Sequence, residues 1–373
     1  MKRVLHISKY YFPFRGGTEK VARDCVLALK DGCEQRVVCF NHRPGTRVDA
    51  VDGVEVTRVG CFAKVASQSL SLSYGRRLRA LLQDFRPDVV IFHYPNPFVA
   101  RYLLKYLPET SKLVVYWHLD IVRQRLLGRL FYGQNLRLAR RAALLIATSR
   151  SYAQASPYLR AEAGKCAVVP NSIDVEALRV DGNVRRAAQR IAAENAGRVL
   201  CFAVGRHVAY KGYDRLIQAS QYLDDRFRIV IAGEGKLTPS LVRQAAGDDR
   251  IRFAGRVDDE TLKAYMAAMD IFCFPSVTRN EAFGVALAEA MYFGKPAVTF
   301  TIPGSGVNEV CLDGEDGIEA PNGDARAYAA ALRRLADDPQ LRARLGQNGR
   351  RRVEENFLYA QFERRVRALV DGL

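Results

Sequence analysis

Two carboxylates eight residues apart, Glu281 and Glu289, stand in the run Asn280-Glu-Ala-Phe-Gly-Val-Ala-Leu-Ala-Glu-Ala-Met291. The run follows the apolar segment Ile271–Phe274 and precedes Gly294-Lys-Pro296, so it reads as a helix opening at a strand end. A helix starting near Gly284 aims the amides of Phe283, Gly284 and Val285 out of its N-terminus, where a diphosphate is favoured. Glu281, just before the helix, would lie beside whatever that phosphate carries. Glu289, five residues in at about 1.5 Å each, falls about 7 Å further along. A hexose at one end and a ribose at the other fit this spacing, because a carboxylate accepts hydrogen bonds from both hydroxyls of a vicinal diol. On spacing alone, two glutamates on a solvated helix face fit as well.

Three further loops carry candidate chemistry. In Val204-Gly-Arg-His-Val-Ala-Tyr-Lys-Gly212, Arg206 and Lys211 flank a loop at a strand end and can reach one anion. An arginine fork and a lysine point charge suit a diphosphate leaving group. Gly16-Gly17 follows the first strand and lets backbone approach a phosphate or sugar closely. It is no dinucleotide fingerprint, because no G-x-G-x-x-G occurs; Gly304-Ser-Gly306-Val-Asn-Glu309 lacks the third glycine. His118, in Val114-Val-Tyr-Trp-His-Leu-Asp120, closes a strand, where a histidine can donate to a substrate hydroxyl or phosphate or serve structurally.

The elements that must position these residues alternate strand and helix. Val4–Ser8, Arg36–Phe40, Asp88–His93, Lys112–Trp117 and Ala143–Ala147 read as strands, with helices at Glu19–Lys30 and Tyr74–Phe85 and an arginine-rich helix after Trp117. Continuous Val/Ile/Leu runs separated by helices indicate a parallel sheet covered on both faces. The pattern restarts after Ala167–Val169 and Pro170-Asn-Ser172. Strands then fall at Val199–Val204, Arg228–Ala232, Ile251–Phe253, Ile271–Phe274 and Ala297–Phe300. Two Rossmann-like domains follow, with a hinge near 170–197, one helical segment at Asn348–Leu373, and ligands at the carboxyl ends of the strands in a cleft between the sheets.

Composition bounds the function. The chain has 373 residues, 57 Lys+Arg and 40 Asp+Glu, a net charge of +17. Residues 1–170 hold 28 basic and 12 acidic residues, so nearly all the excess is in the first half. Its densest part, Arg123, Arg125, Arg129, Arg137, Arg140 and Arg141, alternates with Leu126, Leu127, Leu130, Phe131 and Leu138, which fits a helix at an anionic membrane surface or a solvated helix face. No apolar run reaches the 18 or so residues of a membrane span, and the N-terminus runs straight into a strand. A cytoplasmic, at most peripheral, protein is expected. The eight cysteines are scattered without a C-x-x-C pair and read as reduced core residues, and the five histidines lack metal-ligand spacing, so neither a metal nor a cofactor is expected.

Together these elements resemble the retaining glycosyltransferases of group 1, or family 4, with the two-domain GT-B fold. The resemblance covers essentially the whole chain. Its carriers are Gly16-Gly17, His118-Leu-Asp120, Pro170-Asn-Ser-Ile-Asp174, Gly205-Arg206 with Lys211-Gly212, Phe253-Ala-Gly-Arg-Val257 and the Glu281–Glu289 segment with Gly294-Lys-Pro296. The runs His93-Tyr-Pro-Asn-Pro97 and Tyr116-Trp-His-Leu-Asp-Ile-Val-Arg-Gln124 resemble members that build bacterial surface polysaccharides, often mannosyl- or rhamnosyltransferases. The resemblance implies an acceptor-side domain at 1–170, with a terminal helix of about 355–373 packing back on it, and a nucleotide-sugar domain at 171–354. It implies that Arg206 and Lys211 hold the diphosphate, Glu281 the donor sugar and Glu289 the ribose. Arg256 and Val257 border the base, His118 contacts the donor sugar, and Gly17 approaches acceptor or phosphate. Where many members carry Gly-Gly-x-x-Glu, this chain has Ser305-Gly-Val-Asn-Glu309, which leaves the donor more open.

The implied reaction is transfer of a hexose, mannose or rhamnose-type, from a nucleotide-diphosphate sugar to a saccharide or lipid-linked saccharide, with retention at the anomeric carbon. Without an obvious nucleophilic carboxylate, front-face attack is expected, with Arg206, Lys211 and the helix N-terminus stabilising the departing diphosphate. No Asp-x-Asp occurs, in agreement with a metal-free reaction. A GT-B-fold sugar-nucleotide epimerase or a phosphorylase would use the same framework. The basic half also raises nucleic-acid binding, but there is no aromatic-interleaved basic motif, zinc pattern or helix-turn-helix signature, so no nucleic-acid partner is expected.

Overall fold

The structure is a computed structural model and describes residues 1–14, 16–65, 68–120 and 125–373, the side chains of 64, 65, 68 and 125–129 excepted. The chain folds as two compact units, one of Met1–Ser172 with Tyr359–Leu373 and the other of Ile173–Leu358. Among the described residues no helix is long and apolar enough to cross a membrane.

The first unit contains β1 (Lys2–Ile7), β2 (Cys33–Phe40), β3 (Arg47–Val51), β4 (Val54–Val59), the short pair β5 (Ala63–Val65) and β6 (Gln68–Leu70), β7 (Val89–Tyr94), β8 (Lys112–Trp117), β9 (Leu144–Ala147) and β10 (Cys166–Val168). The main sheet runs β10-β9-β8-β7-β1-β2-β4-β3 and is parallel except at its β3–β4 edge. β7 is buried at every position and β8 at all but its first, as expected of strands covered on both faces. One face packs Val4, Ile91, Val114 and Tyr116 against Val21 and Cys25 of the helix Gly17–Ala28 and against Phe362, Val366 and Val370 of the terminal helix Tyr359–Asp371.

Two features depart from the sequence reading. The stretch expected as a hinge to residue 197 is largely the helix Gly182–Glu194, capped by Asp181, whose carboxylate accepts from the amides of Asn183 and Val184. The unit boundary lies at Ser172/Ile173. The single helical segment expected over Asn348–Leu373 is two helices, Pro339–Asn356 and Tyr359–Asp371; Phe357, between them, is buried in the second core. Ala167–Val168 belongs to β10 of the first sheet, paired with β9, on the first-domain side of the expected boundary. The arginine-rich helix is Arg125–Arg141; Arg123 lies outside the described residues, as do the side chains of Arg125, Leu126, Leu127 and Arg129.

The second unit contains β11 (Val199–Val204), β12 (Phe227–Ala232), β13 (Ile251–Gly255), β14 (Ile271–Phe274), β15 (Ala297–Phe300) and β16 (Gly317–Ala320), all parallel in the order β13-β12-β11-β14-β15-β16. Chain order runs outward in both directions from the β11–β14 pair. That pair is the topological switch point, where diverging loops leave a crevice at the carboxyl ends of the strands. β14 and β15 are wholly buried, and the helices Tyr213–Ser220, Val285–Tyr292 and Ala325–Asp337 cover the sheet through Leu216, Leu287 and Leu332.

Candidate active site

The two loops at the second unit's switch point are fastened to each other. After β11 the chain makes a short helical turn, Ala209–Lys211, closed by Gly212 at φ +63°. That left-handed conformation favours glycine, and the space is closed as well: a Cβ on Gly212 would fall 2.0 Å from the carbonyl oxygen of Pro275. The Val277 amide donates to the carbonyl of Tyr210 at 2.9 Å. Across this junction Lys211 Nζ lies 2.6 Å from Glu281 Oε2, each side chain only 13% exposed. The ammonium also stands 4.9 Å from the centre of the Phe274 ring. Glu281 is held further by Ser276, whose hydroxyl lies 3.4 Å from Oε2, and by the Ser305 hydroxyl, which donates to the Glu281 carbonyl. The Gly306 amide bonds the Ala282 carbonyl at 3.1 Å, so the loop after β15 fixes the segment that carries the glutamate.

The helix behind this pair is Val285–Tyr292, one residue later than the sequence suggests. Gly284, at φ +91°, is its cap, and the amides of Leu287 and Ala288 both reach the Gly284 carbonyl. The amides of Val285 and Ala286 therefore have no acceptor within the helix and carry its positive end. Phe283 precedes the helix and packs its ring edge-on against Phe357 at 5.4 Å. Glu289 is half-buried, four residues after Val285 on the same helix. Arg206 is exposed, with Nη2 3.3 Å from the Tyr210 hydroxyl. Arg256 is exposed and Val257 half-buried just beyond β13, two strands away from β14's neighbour β11.

His207, between Arg206 and Lys211, is buried with Nδ1 2.8 Å from the Thr238 hydroxyl, which also accepts from the Gly235 amide at 2.9 Å. The loops after β11 and β12 are thereby tied to each other, and burial lowers the His207 pKa. Sequence reasoning assigned no role to His207, Thr238, Ser276 or Ser305. His207, Thr238 and Ser305 act by joining loops that follow different strands, which only strand order brings together; Ser276 braces Glu281 within the loop after β14.

In the first unit the named residues also lie at the carboxyl ends of central strands. Gly16, with extended backbone, caps the helix Gly17–Ala28, and the Glu19 carboxylate folds over it, 2.3 Å from where a Cβ would be. Gly17 is exposed with open space around its Cα. His118 follows β8 and is 6% exposed; its Nε2 lies 3.1 Å from Nδ1 of buried His93 on β7. Burial pushes the His118 pKa down to about 3 and that of His93 well below the usual value. Beside them Asp120 accepts from the Trp117 indole and the Ser156 hydroxyl, both at 2.9 Å, which anchors the turn after His118.

Residues 184–352 match the glycosyl transferases group 1, and residues 16–172 match the glycosyl transferase 4-like domain. The D-rhamnosyltransferase WbpZ of Pseudomonas aeruginosa is 33% identical over 95% of this chain and 92% of its own length. The chain is a group 1 glycosyltransferase. The O-antigen chain mannosyltransferase C of Escherichia coli is 30% identical to this glycosyltransferase over 95% of the chain and 94% of the relative. Anabaena Alr3699/HepE, solved in complex with UDP and glucose, superimposes with a TM-score of 0.79 over the whole of both chains at 18% identity, which shows the shared fold. The two Rossmann-like units of this glycosyltransferase are thus those of the GT-B enzymes.

Proposed function

We propose that the glycosyltransferase is a retaining, metal-independent hexosyltransferase of surface polysaccharide synthesis, using a nucleotide-diphosphate mannose or rhamnose-type sugar, with GDP the favoured nucleotide. The observation that carries this reading is the Lys211–Glu281 pair at the switch point, beside the N-terminus of the helix Val285–Tyr292. A donor diphosphate seated on the Val285 and Ala286 amides takes Lys211 as its counter-charge, and Glu281 is freed to accept from the sugar hydroxyls. Glu289, further along the helix, takes the ribose diol, and Arg256 and Val257 border the base. As the bond to the anomeric carbon breaks, charge grows on the diphosphate, where Lys211, Arg206 and the helix amides stabilise it most. The leaving phosphate then removes the acceptor proton on the same face, so configuration is retained. His118 contacts the donor sugar, and Gly16-Gly17 offers backbone to acceptor or phosphate.

The names of the two relatives, a D-rhamnosyltransferase and an O-antigen chain mannosyltransferase, support the sugar class and a growing polysaccharide chain as acceptor. HepE, bound to UDP and glucose, supports a nucleotide donor on this fold. The basic first half fits a peripheral position at the inner face of a membrane. The test is Glu281→Ala: transfer is expected to be lost while nucleotide binding, read by calorimetry, persists. Unchanged transfer would refute the donor-sugar role of Glu281.

A further inference from the structure

Three imidazoles lie on one face of the first sheet. His6 on β1 pairs with Ile91, His93 lies two residues beyond Ile91 on β7 and pairs with Tyr116, and His118 lies two residues beyond Tyr116. Side chains two apart on a strand share a face, so the rings form a row near the carboxyl ends of the central strands. Tyr116 stacks on both later rings, 5.6 Å from His93 and 4.7 Å from His118. His6 is the fixed end of the row. The Gln35 amide nitrogen donates to the Val26 carbonyl at 3.0 Å, so its oxygen faces His6 Nε2 at 2.8 Å and that nitrogen must carry the hydrogen.

The pair His93 Nδ1 and His118 Nε2, 3.1 Å apart, holds one hydrogen between two neutral rings. If His118 donated it, the remaining proton of His93 would sit on Nε2, a fully buried nitrogen with no partner. His6 Nδ1, the other sealed nitrogen of the row, is likewise without one. A buried N–H without an acceptor is the rarer and costlier arrangement; an under-satisfied buried acceptor is tolerated more often. Burial also holds both rings neutral. Among the described residues His118 Nδ1 makes no hydrogen bond.

The geometry points to His93 as a positioning residue that donates from Nδ1 to His118 Nε2 and so fixes His118 as an Nδ1–H donor toward its ligand. His118 then offers a hydrogen bond to a sugar or phosphate oxygen and is no general base through that nitrogen. The inference rests on the transfer-site reading of His118, and its experiment is independent of transfer.

With only five histidines, ring ¹⁵N shifts in histidine-labelled protein can be assigned by single replacements. In the unaltered chain His118 is expected to show a protonated Nδ1 and an unprotonated Nε2. His93→Phe removes the donor: the His118 signal moves toward the Nε2–H form and kcat/KM falls about tenfold, with nucleotide affinity unchanged. His93→Asn, whose amide N–H can stand where Nδ1–H did, should restore both the tautomer and most of the rate. An Nε2–H form of His118 in the unaltered chain, or an unaltered tautomer in His93→Phe, overturns the inference. If no nucleotide sugar is turned over, the functional reading falls and the ring shifts still decide this one.

Discussion

Lys211 and Glu281 are both shielded, and each is the other's counter-ion at 2.6 Å. Removing one partner strands the other charge in a half-closed crevice, which costs more than an exposed pair is worth. Lys211→Met is therefore expected to lower stability by about 1–3 kcal/mol and kcat by about 100-fold, the second because the departing diphosphate loses a preorganised cation. The double variant Lys211→Met/Glu281→Gln should recover part of the stability and none of the rate, which denaturant titration and steady-state kinetics would separate. Full recovery of rate in the double variant would contradict the role given to Lys211. At this scale the sequence shows which residue types are present at strand ends, and the resemblance assigns them roles. The direct pairing of Lys211 with Glu281 was not legible, because seventy residues and three strands separate them. Ser305 on the Glu281 carbonyl was hidden likewise, with β15 between the two; Ser276 lies only five residues before Glu281, in the same loop.

Elements position these side chains through strand order and close backbone packing. Gly212 tests this, since it combines φ +63° with a Cβ position 2.0 Å from the Pro275 carbonyl. Gly212→Ala is expected to force the loops after β11 and β14 apart, lowering both thermal stability and nucleotide affinity. Gly197→Ala, at φ +78° with open space, should cost only about 1 kcal/mol and leave affinity intact. Equal nucleotide affinity in the two variants would count against the fastening of the loops. The histidine row is tested by pH. His6 is held at about 4 and His118 at about 3, both below the ordinary 6.5, so both are neutral in the folded chain. Unfolded, they bind protons from about pH 6.5 downward, so their contribution is complete above that pH and falls as pH drops toward 4. The slope is up to about 1.4 kcal/mol per pH unit for each ring. Trp117, the single tryptophan, lies buried on Tyr94 and reports unfolding of the first unit. Its denaturant midpoint should fall between pH 7 and pH 5; a flat midpoint would show that these rings are not buried neutral. Of the elements, the apolar strands were legible because runs such as Val89–Tyr94 and Ile271–Phe274 are continuous. The β3–β4 edge was missed although Asp52-Gly53, both at positive φ, is a two-residue hairpin signal between alternating residues. The hinge was overdrawn because Gly182–Glu194 is polar on most of its surface, and only Val184 is fully buried.

On the scale of the whole molecule, the repeat of the strand–helix pattern is a low-resolution signal that survives local errors, and it made two Rossmann-like units legible before any boundary was. Charge is the other molecular property. The surplus of Lys and Arg belongs to residues 1–170, and the helix Arg125–Arg141 contains part of it, with Leu130 exposed. Arg123, Arg125 and Arg129 replaced together by Ser should weaken sedimentation with vesicles rich in anionic lipid, and added salt should weaken the unaltered chain in the same way. Unaltered vesicle binding in that variant would remove this helix from the membrane account. The central claim concerns the donor. A panel of UDP-, GDP- and ADP-sugars, measured by calorimetry and nucleotide release in excess chelator, tests it most directly. Selective binding of one donor, with slow nucleotide release that chelator does not suppress, is the predicted result. Failure to bind any nucleotide sugar would contradict the account.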